Sequence, residues 1–369
     1  MEFKKCKLGD FIESISDTTP IKKENVILIN TSDVEDGKVL NHKYVENKNL
    51  KGQFKKRFKI NDILYSEIRP KNKRFAYVNF ESDDYIASTK LMVLRNKGNI
   101  NNKYLFQLLK SDHIVNYLQR IAESRSGTFP QITFEELKNI QVNIPNINNQ
   151  IKIAYFIESI EDKIKLNNQI NDNLYELLKT MYKNELISNS ENKKLDEYCN
   201  IFTGKKNANQ YDENGENLFF TCSPNPLKIN SFIYDGPAII ISGNGAYTGR
   251  TIFYKGKFDL YQRTYACTIK NDKNIDLIYG LYIIIKEELV NKINGGTHGS
   301  AIPYIVKNDL AKFEIKYSEN SITKFSKKAK PILENILNNQ NQNENLEQLR
   351  DTLLPKLMNG EIDLDKIEV

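Results

Sequence analysis

The chain has 369 residues, with 53 Lys and Arg against 47 Asp and Glu for a net charge of +6, and only four cysteines and three histidines. That length suits two domains, each with its own core. No apolar run approaches the ~20 residues of a membrane span, and the opening MEFKKCKLGDF has no signal-peptide core, so a cytoplasmic protein without a membrane partner is expected. Cys6, Cys199, Cys222 and Cys267 form no C-x-x-C pair and His42, His113 and His298 are dispersed, which argues against a disulfide framework, a zinc ribbon or a bound metal.

The first half opens with LGDFIESIS and continues in short β-branched and aromatic runs, NVILINT, FAYVNF and KLMVLR, punctuated by turns such as Asp36-Gly37. This is the pattern of a strand-rich globular domain. Between Lys51 and Arg74 basic residues dominate: Lys55, Lys56, Arg57, Lys59, Arg69, Lys71, Lys73 and Arg74 face only Asp62 and Glu67. Such a run is often a solvated surface, but the interleaved Phe54, Phe58, Tyr65, Phe75 and Tyr77 favour a phosphate-holding groove. An amphipathic helix is expected at 103–121, followed by the tract SGTFPQITFEELKNIQVNIP at 126–145.

From Asn148 to about Ser188 the chain reads as one long helix. Its seam steps by four and three residues through Ile153, Ile157, Ile160 and Ile164, turns polar at Asn167 and Asn171, and resumes at Leu174, Leu178 and Met181. That is a coiled-coil seam interrupted at its middle.

The second half then repeats the order. KLDEYCNIFTG (194–204) restarts the chain, ENLFFT, AIIIS, TIFYKG and YACTIK supply strands, 275–293 supplies a helix, and GSAIPYIVKNDLAKFEIKYS (299–318) echoes 126–145 at a shift of 173. A second long helix, from about Ile322 to Met358, carries Phe325, Ala329, Ile332, Ile336, Asn339, Asn343, Leu346 and Leu353, with Pro331 and Pro355 marking its ends. If the two helices pair antiparallel, their asparagines meet and fix the register. The expected architecture is α+β: two similar strand-rich domains, 1–147 and 191–319, with helices at 148–190 and 320–369 forming an antiparallel coiled coil, in a pseudo-twofold arrangement.

Catalytic motifs fail on inspection. ISGNGAYTGRT (241–251) lacks the spacing of a phosphate-binding P-loop, Ser223-Pro224-Asn225-Pro226-Leu227 lacks the paired prolines and aromatic of an amino-methyltransferase tetrad, and Glu314-Ile315-Lys316, which fits a nuclease strand by letter, lies in the repeated tract and reads better as structure. The glycine-rich and basic segments suit DNA contact instead. Segments 65–78 and 241–254 occupy matching places, with Arg74 near Arg250 and Ser88-Thr89 near Arg263-Thr264. Arginine can bridge guanine and asparagine can read adenine. The candidates are Lys55, Lys56, Arg57, Arg69, Lys71, Lys73, Arg74, Arg125, Ser126, Lys205, Lys206, Asn244, Tyr247, Arg250, Arg263 and Ser300.

The paired S-G-T-x-P-Q-I tract, the Asn-interrupted helices, the restart at KLDEY and the ending LRDTLLPKLMNGEI together resemble the specificity subunit of type I restriction-modification systems, over essentially the whole chain. The resemblance implies two target recognition domains, each reading half of an asymmetric bipartite sequence in double-stranded DNA, held apart by helical spacers. It implies no catalytic centre in this chain, and two methyltransferase subunits that dock on the helices and bring S-adenosylmethionine. Where a restriction subunit joins, ATP and Mg belong to it. A coiled-coil adaptor with no sequence reading is the alternative.

Overall fold

The computed structural model describes residues 2–50, 52–124, 130–186, 192–294 and 304–364. By internal contacts the chain divides into two units, Met1–Lys163 with Asn345–Val369, and Ile164–Glu344. Each unit thus combines one strand-rich head with a stretch of both long helices, so the division passes through the helices rather than beside them.

In the first unit, two four-stranded sheets form the head. One runs in the order Tyr44–Glu46, Asn25–Ile29, Tyr85–Ser88, Phe54–Lys56; the other runs Ile12–Ile15, Leu91–Asn96, Ile63–Ser66, Phe75–Tyr77. The second sheet is apolar on both faces. Because side chains alternate along a strand, Ile63, Tyr65, Phe75, Met92 and Leu94 enter one core, while Leu64, Ala76, Leu91 and Val93 enter another. The larger core also takes Ile153, Ala154 and Ile157 from the first long helix and Leu354 and Leu357 from the second. Ion pairs reinforce the mount: Lys110 Nζ lies 2.6 Å from Glu161, and Lys103 pairs with Glu158.

The second unit has a single six-stranded sheet in the order Cys199–Thr203, Thr264–Ile269, Tyr234–Ser242, Thr251–Leu260, Asn217–Phe220, Leu227–Ile229. Ile239, Ile241, Phe253 and Cys267 point to the core shared with the helix Leu277–Asn294 and with Leu178, Phe325, Ala329, Leu333 and Ile336. Ala238, Ile240 and Ala266 point to a smaller core on the other face. Polar contacts again hold head to helix. Tyr182 and Tyr317 both donate to Glu288 Oε1 at 2.8 Å, and Lys330 Nζ lies 2.9 Å from Asp276. Burial, with Tyr317 and Glu288 alongside, raises the Tyr182 phenol well above its usual pKa.

The first long helix spans Ile147–Glu185 and the second Glu319–Asn359. In the second unit they pair antiparallel. Asn167 Nδ2 donates to Asn343 Oδ1 at 2.8 Å and to Gln342 Oε1 at 2.7 Å, and Asn339 Nδ2 donates to Asn171 Oδ1 at 2.9 Å. Four residues forward on one helix are therefore four back on the other, as the asparagine spacing predicts. Ile160, Ile336, Asn167, Asn171 and Asn343 are buried, while Ile164, Leu174, Ile332, Asn339 and Leu346 are half-buried.

Three expectations need correction. The predicted helix at 103–121 is two helices, Asn102–Lys110 and Asp112–Ser124, because Ser111 takes an extended ψ of 142° and its Oγ donates to Leu108 O. Pro331 and Pro355 do not end the second long helix but lie inside it, both exposed. Each removes one backbone donor, and the flanking Ala329, Leu333, Leu354 and Leu357 carry the helix through by packing into the two cores. In the second helix Leu333, rather than Ile332, is the fully buried position at its turn. The cysteines are all free, two of them buried, and burial pushes the Cys199 thiol up to about 12.

The asparagine layer yields a stability test. Asn343→Leu removes one of the two acceptors of the buried Asn167 Nδ2, leaving Gln342 Oε1, together with the bond to Asn168 Oδ1, and should cost about 1 kcal/mol; urea unfolding measures it, and an unchanged or higher midpoint contradicts a stabilising role for these bonds.

Candidate nucleic-acid interface

The tracts repeated in sequence are repeated in hydrogen bonding. In the first unit Phe3–Lys7 pairs antiparallel with Gln141–Pro145, and in the second Lys193–Lys194 pairs with Glu314–Ile315. Glu314 therefore belongs to a structural ladder. Upstream, the Thr133 N–H is capped by Glu136 at 2.7 Å and the Val306 N–H by Asp309 at 2.9 Å, a carboxylate three residues on starting each short helix.

This tract props a loop. Strand Ile63–Ser66 leads into residues 67–74, and strand Tyr234–Ser242 leads into 243–250. Ile132 N–H donates to Glu67 O and Ile305 N–H to Gly243 O, both at 2.8 Å. Glu67 N–H donates to Lys90 O at 3.0 Å and Gly243 N–H to Arg263 O at 2.9 Å; Ser66 N–H donates to Arg74 O at 2.8 Å and Ser242 N–H to Arg250 O at 3.0 Å. Isolated bridges join Ile68 to Gln131 and Asn244 to Tyr304. The correspondence is a constant shift of 176 within the loop, so Arg74 does match Arg250. Arg263 matches Lys90 rather than the Ser88-Thr89 pair, since Leu91 faces Ser66 as Thr264 faces Ser242 across the ladder.

The frame extends to dihedral angles. Arg69 and Lys73 have φ of 45° and 51°, and their counterparts Gly245 and Gly249 have φ of 81° and 83°. Glycine enters this left-handed region freely, whereas a side chain there costs about 1 kcal/mol or more.

Arg74 and Arg250 sit half-buried at the loop's end and bind backbone. Arg74 Nη1 donates to Ser32 O and Val34 O at 3.4 Å and pairs with Glu35 at 3.3 Å. Arg250 Nη1 donates to Ser223 O at 3.1 Å and to Pro224 O. Each arginine thus ties its loop to a neighbouring one, and this linkage could not be read from the sequence.

The other candidates divide by environment. Lys55, Arg69, Lys71, Lys73, Lys205, Tyr247 and Arg263 are exposed. Lys73 Nζ lies 3.5 Å from Asp112, and the Lys71 N–H donates to Gln119. Lys56 is half-buried, donates to Leu91 O at 2.8 Å and lies 3.9 Å from Glu67; burial lowers its pKa. Arg57 Nη2 donates to Asp83 O, Lys206 lies 3.9 Å from Asp259, and Asn244 is half-buried at its bridge. Arg125, Ser126 and Ser300 lie outside the described residues. Among the described residues no group of three or more His, Cys, Asp or Glu is arranged to hold a metal ion, and no helix is long and apolar enough to cross a membrane.

The family model for the type I restriction modification DNA specificity domain matches twice, over residues 1–176 and 187–349. The chain belongs to this family. Among curated relatives, the HindI specificity subunit of Haemophilus influenzae is 43% identical over 188 residues, covering 50% of this chain and 41% of that protein. The EcoDI specificity subunit of Escherichia coli is 32% identical over 176 residues, covering 46% and 37%. The MjaIX specificity subunit of Methanocaldococcus jannaschii is 27% identical over 336 residues, covering 77% and 76%. The chain spans less than half the length of the first two. In fold it is similar to the type I restriction-modification S subunit of M. genitalium, with a TM-score of 0.58 at 14% identity over 97% of this chain and 96% of that one. A chain solved in work on complex assembly and conformational transition of the type I system gives 0.51 at 18% identity, covering 98% of both.

The arginine linkage predicts a local effect. Arg74→Ala should speed amide hydrogen exchange over 32–35 and Arg250→Ala over 223–226, each leaving the other unit's pattern unchanged; protection retained at both segments contradicts the linkage.

Proposed function

We propose that this chain is the DNA-sequence specificity subunit of a type I restriction-modification complex. Each head reads one half of a bipartite, asymmetric site in double-stranded DNA, and the paired helices set the length of the unread gap. The observation that carries the reading is the loop frame of 67–74 and 243–250, anchored at both ends by the same backbone hydrogen bonds and matched in its left-handed positions but different in side chains. Two loops anchored alike with unequal chemistry suit two unequal half-sites.

In this reading the chain performs no chemistry. Two methyltransferase subunits dock on the helices and supply S-adenosylmethionine and the adenine-modifying site; a restriction subunit, where one joins, supplies ATP-driven translocation and Mg-dependent cleavage. The chain contributes the address. Exposed Lys55, Lys71, Lys205 and Arg263 neutralise phosphates and set orientation, while the loops held by Arg74 and Arg250 meet base edges.

Two measurements test this. Deleting the gene from its source genome should erase adenine methylation at one bipartite motif and leave other marks in place; an unchanged methylation map overturns the proposal. In the complex with its methyltransferase subunits, Arg250→Ala should relax preference in one half of that motif only, and relaxation of both halves or neither removes the assignment of one head to each half-site.

A further inference from the structure

The apex of the recognition loop keeps its left-handed positions and one hydrogen bond in both units, Asn72 N–H to Arg69 O and Thr248 N–H to Gly245 O, with opposite side-chain content. At the first left-handed position the first unit places Arg69, exposed, with φ of 45° and ψ of 75°, and its N–H donates to Pro130 O at 3.0 Å. The second unit places Gly245 there, with φ of 81° and, among the described residues, nothing within 4 Å of where a Cβ would stand. The frame itself calls for glycine, since the left-handed region is free only to that residue. An arginine held there carries a backbone cost that glycine would not, and such strained positions gather at functional sites. The converse holds in the second unit. A glycine between half-buried Asn244 and exposed Tyr247, with no described residue packed on its bare Cα, carries a backbone that a ligand surface can approach closely.

We propose that this one loop frame makes contact in two modes: Arg69 extends a guanidinium to a DNA phosphate on behalf of the first head, whereas Gly245 lets the loop backbone of the second head close directly on the duplex and bring Asn244 and Tyr247 to it. The proposal rests on the specificity-subunit reading and adds to it which residue supplies charge and which supplies access. An arginine on a phosphate positions without reading sequence. A bare backbone entering a groove carries flanking side chains to base edges, where sequence is distinguished.

The experiment uses the full chain in complex with its methyltransferase subunits and a pool of random-sequence duplex DNA, from which bound molecules are sequenced and on which affinity is measured against salt. Arg69→Gly should lower the salt exponent by about one, the loss of a single phosphate contact, and keep both halves of the selected motif. Arg69→Lys should keep the exponent. Gly245→Arg, which rebuilds the first head's apex in the second, should blur one half of the motif and keep the other.

An Arg69→Gly complex with the wild-type exponent overturns the phosphate role, and a Gly245→Arg complex that selects the intact motif overturns the access role. A Gly245→Arg chain that melts far below wild type also counts against the proposal, since Arg69 shows the frame accepting that side chain. A wild-type complex that binds no duplex overturns the specificity-subunit reading itself, and this inference with it.

Discussion

Everything in each unit depends on one shared core in which head and helices bury the same apolar surface. In the second unit Ile239 and Phe253 from the sheet, Ile284 from the connecting helix, Leu178 from the first long helix and Phe325 from the second belong to a single cluster. Neither partner could keep its apolar face dry alone. A long helix with a seam broken by asparagines needs tertiary burial to persist, and a sheet with two apolar faces needs a cover on each. The consequence is orientational: a loop at the end of such a sheet is fixed relative to its own stretch of helix, with Lys110 to Glu161 in one unit and Lys330 to Asp276 in the other holding the rim.

On that mount the loop frame separates construction from chemistry. The bonds that anchor it at both ends are made by backbone: Ile132 to Glu67 O and Ile305 to Gly243 O at the start, Ser66 to Arg74 O and Ser242 to Arg250 O at the end. Each loop is then finished by side chains of its own, Ser66 Oγ accepting from the Ile68 N–H in one and Thr248 Oγ1 donating to Gly245 O in the other. The two arginines close the frame onto a second segment, which turns a single loop into a pair.

Much of this was legible in the sequence. The echo of 126–145 in 299–318 marks a ladder and a capped short helix that are the same in both units, and the four-three spacing placed Asn167 against Asn343 and Asn171 against Asn339. Those features are local in period, so pattern carries them. What stayed hidden was set by partners distant in the chain or by backbone that the residue type conceals. The carbonyls that Arg74 and Arg250 engage lie 42 and 27 residues away. Arg69 and Lys73 hide left-handed turns that Gly245 and Gly249 announce. Ser111 looked like one more polar residue on a helix surface, and only its cap geometry breaks the helix. Pro331 and Pro355 looked like stops, yet two cores outweigh one lost hydrogen bond at each.

The doubly buried sheet of the first unit has a consequence for how its strands find their register. Alternation there is between sizes, not between polar and apolar: Tyr65, Phe75 and Met92 on one side, Leu64, Ala76 and Val93 on the other. Across these positions a slip by one residue would exchange apolar for apolar, so burial alone would not oppose it. It would instead press a phenyl ring into a slot cut for a methyl group and leave a void where the ring had been. Correct assembly of this head is therefore proofread by volume.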